Sequence, residues 1–472
     1  MRSIYQEPKS RSCSVNLCEG CLDKQQEIDR LKAEIQALRE KLSQRKRQAQ
    51  TGLFGSSTPS AQIPVKANAT PEAVAKHGGA KVGHPGNGRK KHSQLDIDEI
   101  RDLPVEPFCS HCHSLLISKG HRQRSVLDID PVTVRKVLYR LERKACPSCG
   151  LEVSAKPKDV LAKSMLSNQL LTEIVDSHYL QGMPLGRVCA RWQLNYGTVI
   201  AALHRVATIF DPVMEELKKQ YRDAFVRHAD ETTWRTDGKT GYCWLFASDR
   251  VSLHLYRNTR SARVVEEVFG HQKKLRGYLV VDRYAAYRRV SCKLQYCYAH
   301  LLREIRDLQS EFADDKEVEA YSQAMVELLA QAMHLQSSKP KDKAYYREAR
   351  SIKREILKAS HQGSHHLAVK RWQDFFVEEG ERLYHWVEDR RVPCENNRAE
   401  RELRPTVIAR KVSHGSQGEE GARTREVLMS VMQSLKKRFA DPRERFKEAL
   451  DKIAMNSSID TSQALFEISS SQ

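Results

Sequence analysis

Apolar and polar positions alternate in short blocks between Ala224 and Ala299, and the blocks predict strands. AFVRHAD reads as a short apolar-rich strand ending at Asp230, and GYCWLFA and VSLHLY read as two more. YLVVD is a continuous apolar run of the kind found in a strand buried on both faces, and it ends at Asp282. A helical stretch from Arg263 to Phe269 precedes YLVVD; a helix and a further strand near LQYCYA follow it. Three consecutive strands, a helix and then further strands predict an α/β domain. Beyond Leu301 the rhythm lengthens to that of helices, as in EVEAYSQAMVELLAQAMHL and KAYYREARSIKREILKAS. These fill much of the 301–390 interval as a helical insertion. GARTREVLMSVMQSLKKRF reads as an amphipathic helix; Asp441-Pro442 starts another, with Asp as N-cap and Pro in the first turn. SSIDTSQALFEISSSQ reads as a frayed tail.

Upstream, Ile28, Leu31, Ile35, Leu38 and Leu42 alternate by three and four residues and line an a/d seam, so residues 1–50 carry a short coiled coil that pairs copies of the chain. A single amphipathic helix packed on its own domain is the alternative. Cys13, Cys18 and Cys21 precede the seam with no fourth ligand and stay unassigned. Residues 51–95 shift to Gly, Ser, Pro, Lys and His, which cannot bury enough apolar surface to order, so they read as a flexible basic arm. Phosphate contact and a plain linker are both open for it. Between Leu166 and Phe210 two short helices flank a polar turn near Asn195, matching a helix-turn-helix with Thr198 to Ala207 as the recognition helix. Simple helix packing is the competing reading.

Composition narrows the chemistry. The 472 residues carry a net charge of +19, the footprint of a protein that tracks phosphates, although basicity alone also suits other classes. No apolar run approaches the ~20 residues that span a bilayer, and the N-terminus lacks the apolar core of a signal peptide, so the chain reads as intracellular. Among twelve cysteines, CSHC (Cys109, Cys112) and CPSC (Cys146, Cys149) form two CxxC knuckles that predict a zinc ribbon with a structural Zn²⁺. His111 and His113 are substitute ligands, and a redox pair is disfavoured because no βαβ context is present. GKTG at 238–241 lacks the upstream Gly of a phosphate loop, since Thr233 stands there.

Three of the 60 Asp and Glu residues sit in distinctive surroundings: Asp230 in HADETTWRTDG, Asp282 in YLVVDRYAAY and Glu400 in CENNRAERELRP. Acids at strand exits, in this order of strands and helices, predict an RNase H-like fold and phosphoryl transfer on nucleic acid. Carboxylates suit Mg²⁺ or Mn²⁺, and two such ions clamp the attacking and leaving oxygens of an in-line displacement. Asn396, Asn397 and Arg404 lie four before, three before and four after Glu400, so one helix face presents the ligand with groups that hold phosphates. Glu402 is turned about 200° from Glu400. Glu231 points away from Asp230 if the segment is extended, and Glu395 lies only at the helix entry. Glu400 therefore completes the site.

With these motifs in order, the chain resembles the DDE transposases of the insertion-sequence 66 family over nearly its whole length. The resemblance runs through the zipper, GLFGSS and GGAKVGHPG, the CxxC pairs, HADET, VVDRYAAY, CYAH and ENNRAERELRPTVIARK. It implies that Asp230, Asp282 and Glu400 are the catalytic acids, that Cys297 and His300 match a CxxH element, and that Arg410 and Lys411 join the phosphate contacts. Arg283 departs from the Gly usual after the second acid, and VSHGSQGEEGA departs from a more aromatic stretch. The implied partners are element ends and target DNA, further copies of the chain and accessory proteins of the same element, in a bacterial cytoplasm at the nucleoid. The expected plan is zipper 1–50, arm 51–95, zinc ribbon 96–155, DNA-binding helices 156–222, catalytic domain 223–455 and tail 456–472. An RNase H-like nuclease or resolvase would share the acids without needing zipper, ribbon and arm. A DNA-binding regulator derived from a transposase would keep those parts and lose an acid.

Overall fold

The computed structural model describes residues 134–145, 152–270 and 275–467, with Phe108 and six residues between Glu27 and Glu34. The chain divides into Val65–Leu138 and a larger unit made of Met1–Pro64 and Tyr139–Gln472; every element named below belongs to the latter. The four ribbon cysteines, Cys13, Cys18, Cys21 and the 51–95 arm lie outside the described residues. So do Ile35, Leu38 and Leu42, whereas Ile28 and Leu31 are helical and exposed.

After Tyr139 comes a short antiparallel pair, β1 (Arg143–Ala145) and β2 (Glu152–Ser154). Four helices follow: α1 (Asn168–Val175), which runs on as a π-turn to Leu180, α2 (Leu185–Trp192), α3 (Tyr196–Phe210) and α4 (Val213–Asp223). Gln193 adopts φ 51° and ends α2, so three residues turn the chain into α3. The turn lies near Asn195, where the sequence places it. Tyr196, Gly197 and Thr198 at the start of α3 are exposed, while Val199, Leu203, Val206 and Phe210 are buried.

The five-stranded sheet has the order β5-β4-β3-β6-β7: β3 (Val226–Thr236), β4 (Lys239–Ala247), β5 (Ser252–Arg257), β6 (Tyr278–Val281) and β7 (Lys293–Tyr296). The first three pair antiparallel; β6 and β7 join parallel to β3. The strand that carries Asp230 does not stop there. It runs to Thr236 because Asp237 and Gly238 both take positive φ (51° and 70°), which closes a two-residue hairpin whose twist matches the strands. Gly277 is required at the entry to β6: its φ is +85°, and a Cβ there would meet the Phe225 carbonyl oxygen at 2.1 Å.

Helix α5 (Ala262–Phe269) lies between β5 and β6, close to the expected bounds. Between β7 and the Glu400 helix the insertion is helical as read: α6 (Tyr298–Glu311), α7 (Lys316–Ser338), α8 (Asp342–Ser360), α9 (Leu367–Glu378) and the short α10 (His385–Glu388). CYAH is not part of a strand; β7 ends at Tyr296, and Cys297 is the N-cap of α6. Then come α11 (Asn397–Ser413), α12 (Glu419–Arg438), α13 (Pro442–Met455) and α14 (Thr461–Phe466). Asp441 caps α13 as expected, accepting from the backbone N–H groups of Arg443 and Glu444.

Two expectations fail in instructive ways. Helix α12 is not amphipathic in place: Thr424 to Leu435 are buried all round. Its polar residues are spent on the edge strand β5, where Tyr256, His254 and Ser252 donate backbone N–H bonds to Glu426 Oε2 (3.0 Å), Ser430 Oγ (2.8 Å) and Ser434 Oγ (3.0 Å). Residues four apart on the helix meet residues two apart on the strand, so α12 covers an edge that would otherwise present unpaired N–H groups. The tail is likewise not frayed up to Glu467. Asp460 caps α14, Ala464 and Leu465 are buried, and Arg445 Nε donates to the Leu465 carbonyl (2.8 Å). Among the described residues, no helix is long and apolar enough to cross a membrane.

Candidate active site

Asp230 lies within β3, but its neighbour is the end of β6. Parallel pairing matches Val226, Arg227 and His228 with Tyr278, Leu279 and Val280. Two residues further on, that register brings Asp230 level with Asp282, where β6 has just ended, on strands that pair about 4.8 Å apart. Asp230 is buried, and its Oδ1 accepts the Glu231 N–H at 2.9 Å. Asp282 is partly buried and its Oδ1 accepts from the Tyr284 N–H at 2.9 Å. Burial first, and then the nearby Glu231 charge, push the Asp282 carboxyl up to about 7.

Helix α11 is tied along β3 at three levels, which sets Glu400. At its start the Asn396 amide donates to the Ala229 carbonyl (2.8 Å), its carbonyl oxygen accepts from His228 Nδ1 (2.9 Å), and its backbone N–H donates to Cys297 Sγ (3.0 Å). Near its end Arg410 Nη1 donates to Thr232 Oγ1 (2.9 Å) and to the Thr233 carbonyl (2.8 Å). Beyond it, Ser416 bonds to Trp234, Arg235 and Asp237. One turn above the Asn396 clamp, buried Glu400 accepts from Arg303 Nη2 of α6 at 2.8 Å. Glu402 points elsewhere, to Lys437 Nζ of α12 at 2.6 Å.

These bonds revise several sequence assignments. Asn396 and Arg410 are buried, with the Asn396 amide on Ala229 and Arg410 Nη1 on Thr232 and Thr233, so both tie α11 to β3 where the sequence reading made them phosphate contacts. Asn397 is half-buried, whereas Arg404 and Lys411 are exposed on α11. Cys297 is a buried thiol whose pKa is pushed up to about 12 by burial and then by Glu400. His300 is held down at about 3 by burial, then by Arg303 and Arg283. Among the described residues, no three His, Cys, Asp or Glu side chains form a preassembled metal cage. The structure brings Asp230 and Asp282 level; Glu400 is turned onto a cation.

Four residues that the motifs did not single out shape this site. Glu231 is buried and not idle: it accepts from Arg260 Nε (2.9 Å) and from the Tyr287 hydroxyl (2.5 Å), and its charge acts on Asp282. Arg303 is the fourth, through its pair with Glu400. Only Glu231 carried a signal in the sequence, as the acid next to Asp230. A cleft of about 410 Å³ opens beside Asp282, lined by Arg260, Arg283, Tyr284, His300 and Phe375 among others, so the insertion helices α6 and α9 wall one side. There Arg283 pairs with Glu304 and lies over the rings of Trp372 and Phe375, which is what an arginine offers where glycine would leave a gap.

Comparisons with known proteins give two relatives and one family. Two curated relatives are the uncharacterized proteins y4qI and y4jD of Sinorhizobium fredii. The first is 24% identical over 79% of this chain and 75% of its own length, and the second 24% identical over 75% and 77%. The sequence model described as "Transposase IS66 family" matches residues 163–424, which span α1 through the start of α12 and contain Asp230, Asp282 and Glu400. The chain belongs to the IS66 transposase family.

Proposed function

We propose that this transposase frees the 3′ ends of its element and joins them to target DNA by in-line phosphoryl transfer, with Asp230, Asp282 and Glu400 as ligands for Mg²⁺ or Mn²⁺ in an RNase H-like core. The observation that carries the reading is the register that sets Asp230 level with Asp282, beside a helix pinned to the same strand by Asn396 and Arg410. The sheet order supports the fold.

The residues fit a hard divalent cation. All three donors are carboxylates, Glu400 already holds a positive group, and the Asp282 carboxyl is raised by burial and then by the Glu231 charge, both of which a bound cation would relieve. Bound ions would lower the pKa of the attacking water or 3′-hydroxyl and neutralise charge on the leaving oxygen. The protein's own part is to hold the acids on rigid elements, with β3 fixing Asp230 and the Asn396 clamp fixing Glu400. Glu400 would give up Arg303 to take a ligand role. Arg303 Nη1, which is buried without a partner, is then a donor for a phosphate oxygen.

Asp282 gives a test that does not depend on turnover. Its folded pKa of about 7 lies above that of an unfolded aspartate, so the folded state binds this proton more tightly and loses stability as pH rises from about 4 to about 7. Metal-free Asp282→Asn is therefore expected to melt higher than wild type at pH 8, with the difference closing below about pH 4. Mn²⁺ should raise the melting temperature of wild type and not of the variant. Calorimetry across pH, with and without chelator, checks both; a variant that melts lower at pH 8 contradicts the assigned environment.

The zinc ribbon remains part of the proposal. The β1–β2 pair brackets Cys146 and Cys149, which supports a knuckle there. One zinc per chain is expected by native mass spectrometry, lost in a Cys109→Ser, Cys146→Ser variant; less than half an equivalent in the wild type would remove the ribbon. Self-association through the heptad seam and end recognition by α2 and α3 complete the reading. Incubation of the purified protein with Mg²⁺ and DNA carrying the element ends tests the whole: 3′-end nicking and strand transfer are expected, and absence of both defeats it.

A further inference from the structure

The exposed face of α11 is lined by Arg398, Arg401, Arg404 and Lys411. None of the four has a hydrogen bond or ion pair to another described residue. Other cations around the acids are committed: Arg260 to Glu231, Arg283 to Glu304, Arg303 to Glu400, and Lys437 to Glu402. The unpaired face works against its own helix. Arginines three apart repel, and Arg398 lies in the first turn, at the positive end of the helix dipole. Of the four, Arg401 feels the charge of Glu395 at the helix entry, without an ion pair or hydrogen bond to it.

We infer that this face is a phosphate track that holds duplex DNA against the active site, an inference that rests on the transposase reading. The four cations cover about 20 Å at 1.5 Å per residue, comparable to about six base-pair steps of one strand. At 100° per residue, Glu400 lies about 40° from Arg404 and about 20° from Lys411 around the axis, so it occupies the border between the basic face and the buried one. A strand lying on the track is thereby delivered to the acid. The face is defined by exposure and by the absence of partners. That excludes Asn396 and Arg410, and it brings in Arg398 and Arg401, which helical offsets from Glu400 do not select.

The test is the salt dependence of binding in EDTA, where no chemistry occurs. Full-length protein and a variant with Arg398→Gln, Arg401→Gln, Arg404→Gln and Lys411→Gln would be titrated with a 40-base-pair duplex, end-containing or scrambled, from 50 to 300 mM KCl. Each lost phosphate contact reduces the slope of log K against log salt by ~0.9, so the slope is expected to fall in magnitude by roughly 3 to 4, equally on both duplexes. The melting temperature should hold or rise, because the side chains have no intramolecular partners. An unchanged slope, in a wild type that nicks element ends, overturns the track and leaves the transposase reading standing. A variant that binds DNA normally but changes sedimentation would assign the face to a second copy of the chain and also overturn it. A wild type that neither binds nor nicks defeats both.

Discussion

Glu400→Gln, like Asp230→Asn and Asp282→Asn, is expected to lower 3′-end cleavage and strand transfer by on the order of 10³-fold or more, while binding of element ends persists. Each substitution removes one carboxylate from the set that would hold the ions and leaves the exposed cations of α11 untouched. Glu402→Gln is the control, since Glu402 sits on another side of the helix and is bonded to Lys437. It should keep most activity. Single-turnover cleavage in Mg²⁺ separates chemistry from product release. An active Glu400→Gln beside an inactive Glu402→Gln would mean that the wrong side of α11 has been assigned to the metals.

The largest expected loss of stability is at a residue with no catalytic role. Glu426 is buried, accepts the Tyr256 N–H at 3.0 Å and Arg257 Nη1 at 2.6 Å, and also pairs with Arg423. Glu426→Ala is expected to cost about 3 kcal/mol, because it leaves a partly buried guanidinium and an edge-strand N–H without their acceptor. Arg257 keeps a second pair with Glu267, which holds the figure at the low end of the range for broken buried pairs. Glu426→Gln retains an acceptor and should lose less. Denaturant titration measures the difference; a loss below about 1 kcal/mol for the alanine variant would show that α12 covers the β5 edge without stabilising it.

The sequence by itself determined the element order of the described catalytic region, because apolar runs of four to six residues read as buried strands and the 3.6-residue rhythm reads as helices. It located α5, the insertion helices, the Asp441 cap of α13 and the turn between α2 and α3. It also singled out Asp230, Asp282 and Glu400 by their surroundings. The pattern did not show what each face would meet. Asn396 and Arg410 look the same in a sequence whether they hold phosphate or a neighbouring strand, and only the packing of α11 on β3 turns them inward. Glu426, Ser430 and Ser434 resemble a solvated helix face until β5 supplies the N–H groups that they accept. Asp230 looked like a strand terminus because the apolar run stops there, yet pairing with β4 carries β3 on to Thr236, and the break comes from β6 ending instead. Periodicity reports that a side chain is buried or exposed along its own element. Partners far apart in the sequence, such as Arg303 and Glu400 or Glu231 and Tyr287, are chosen by the tertiary fold, since the energy of a buried polar group depends on what it meets.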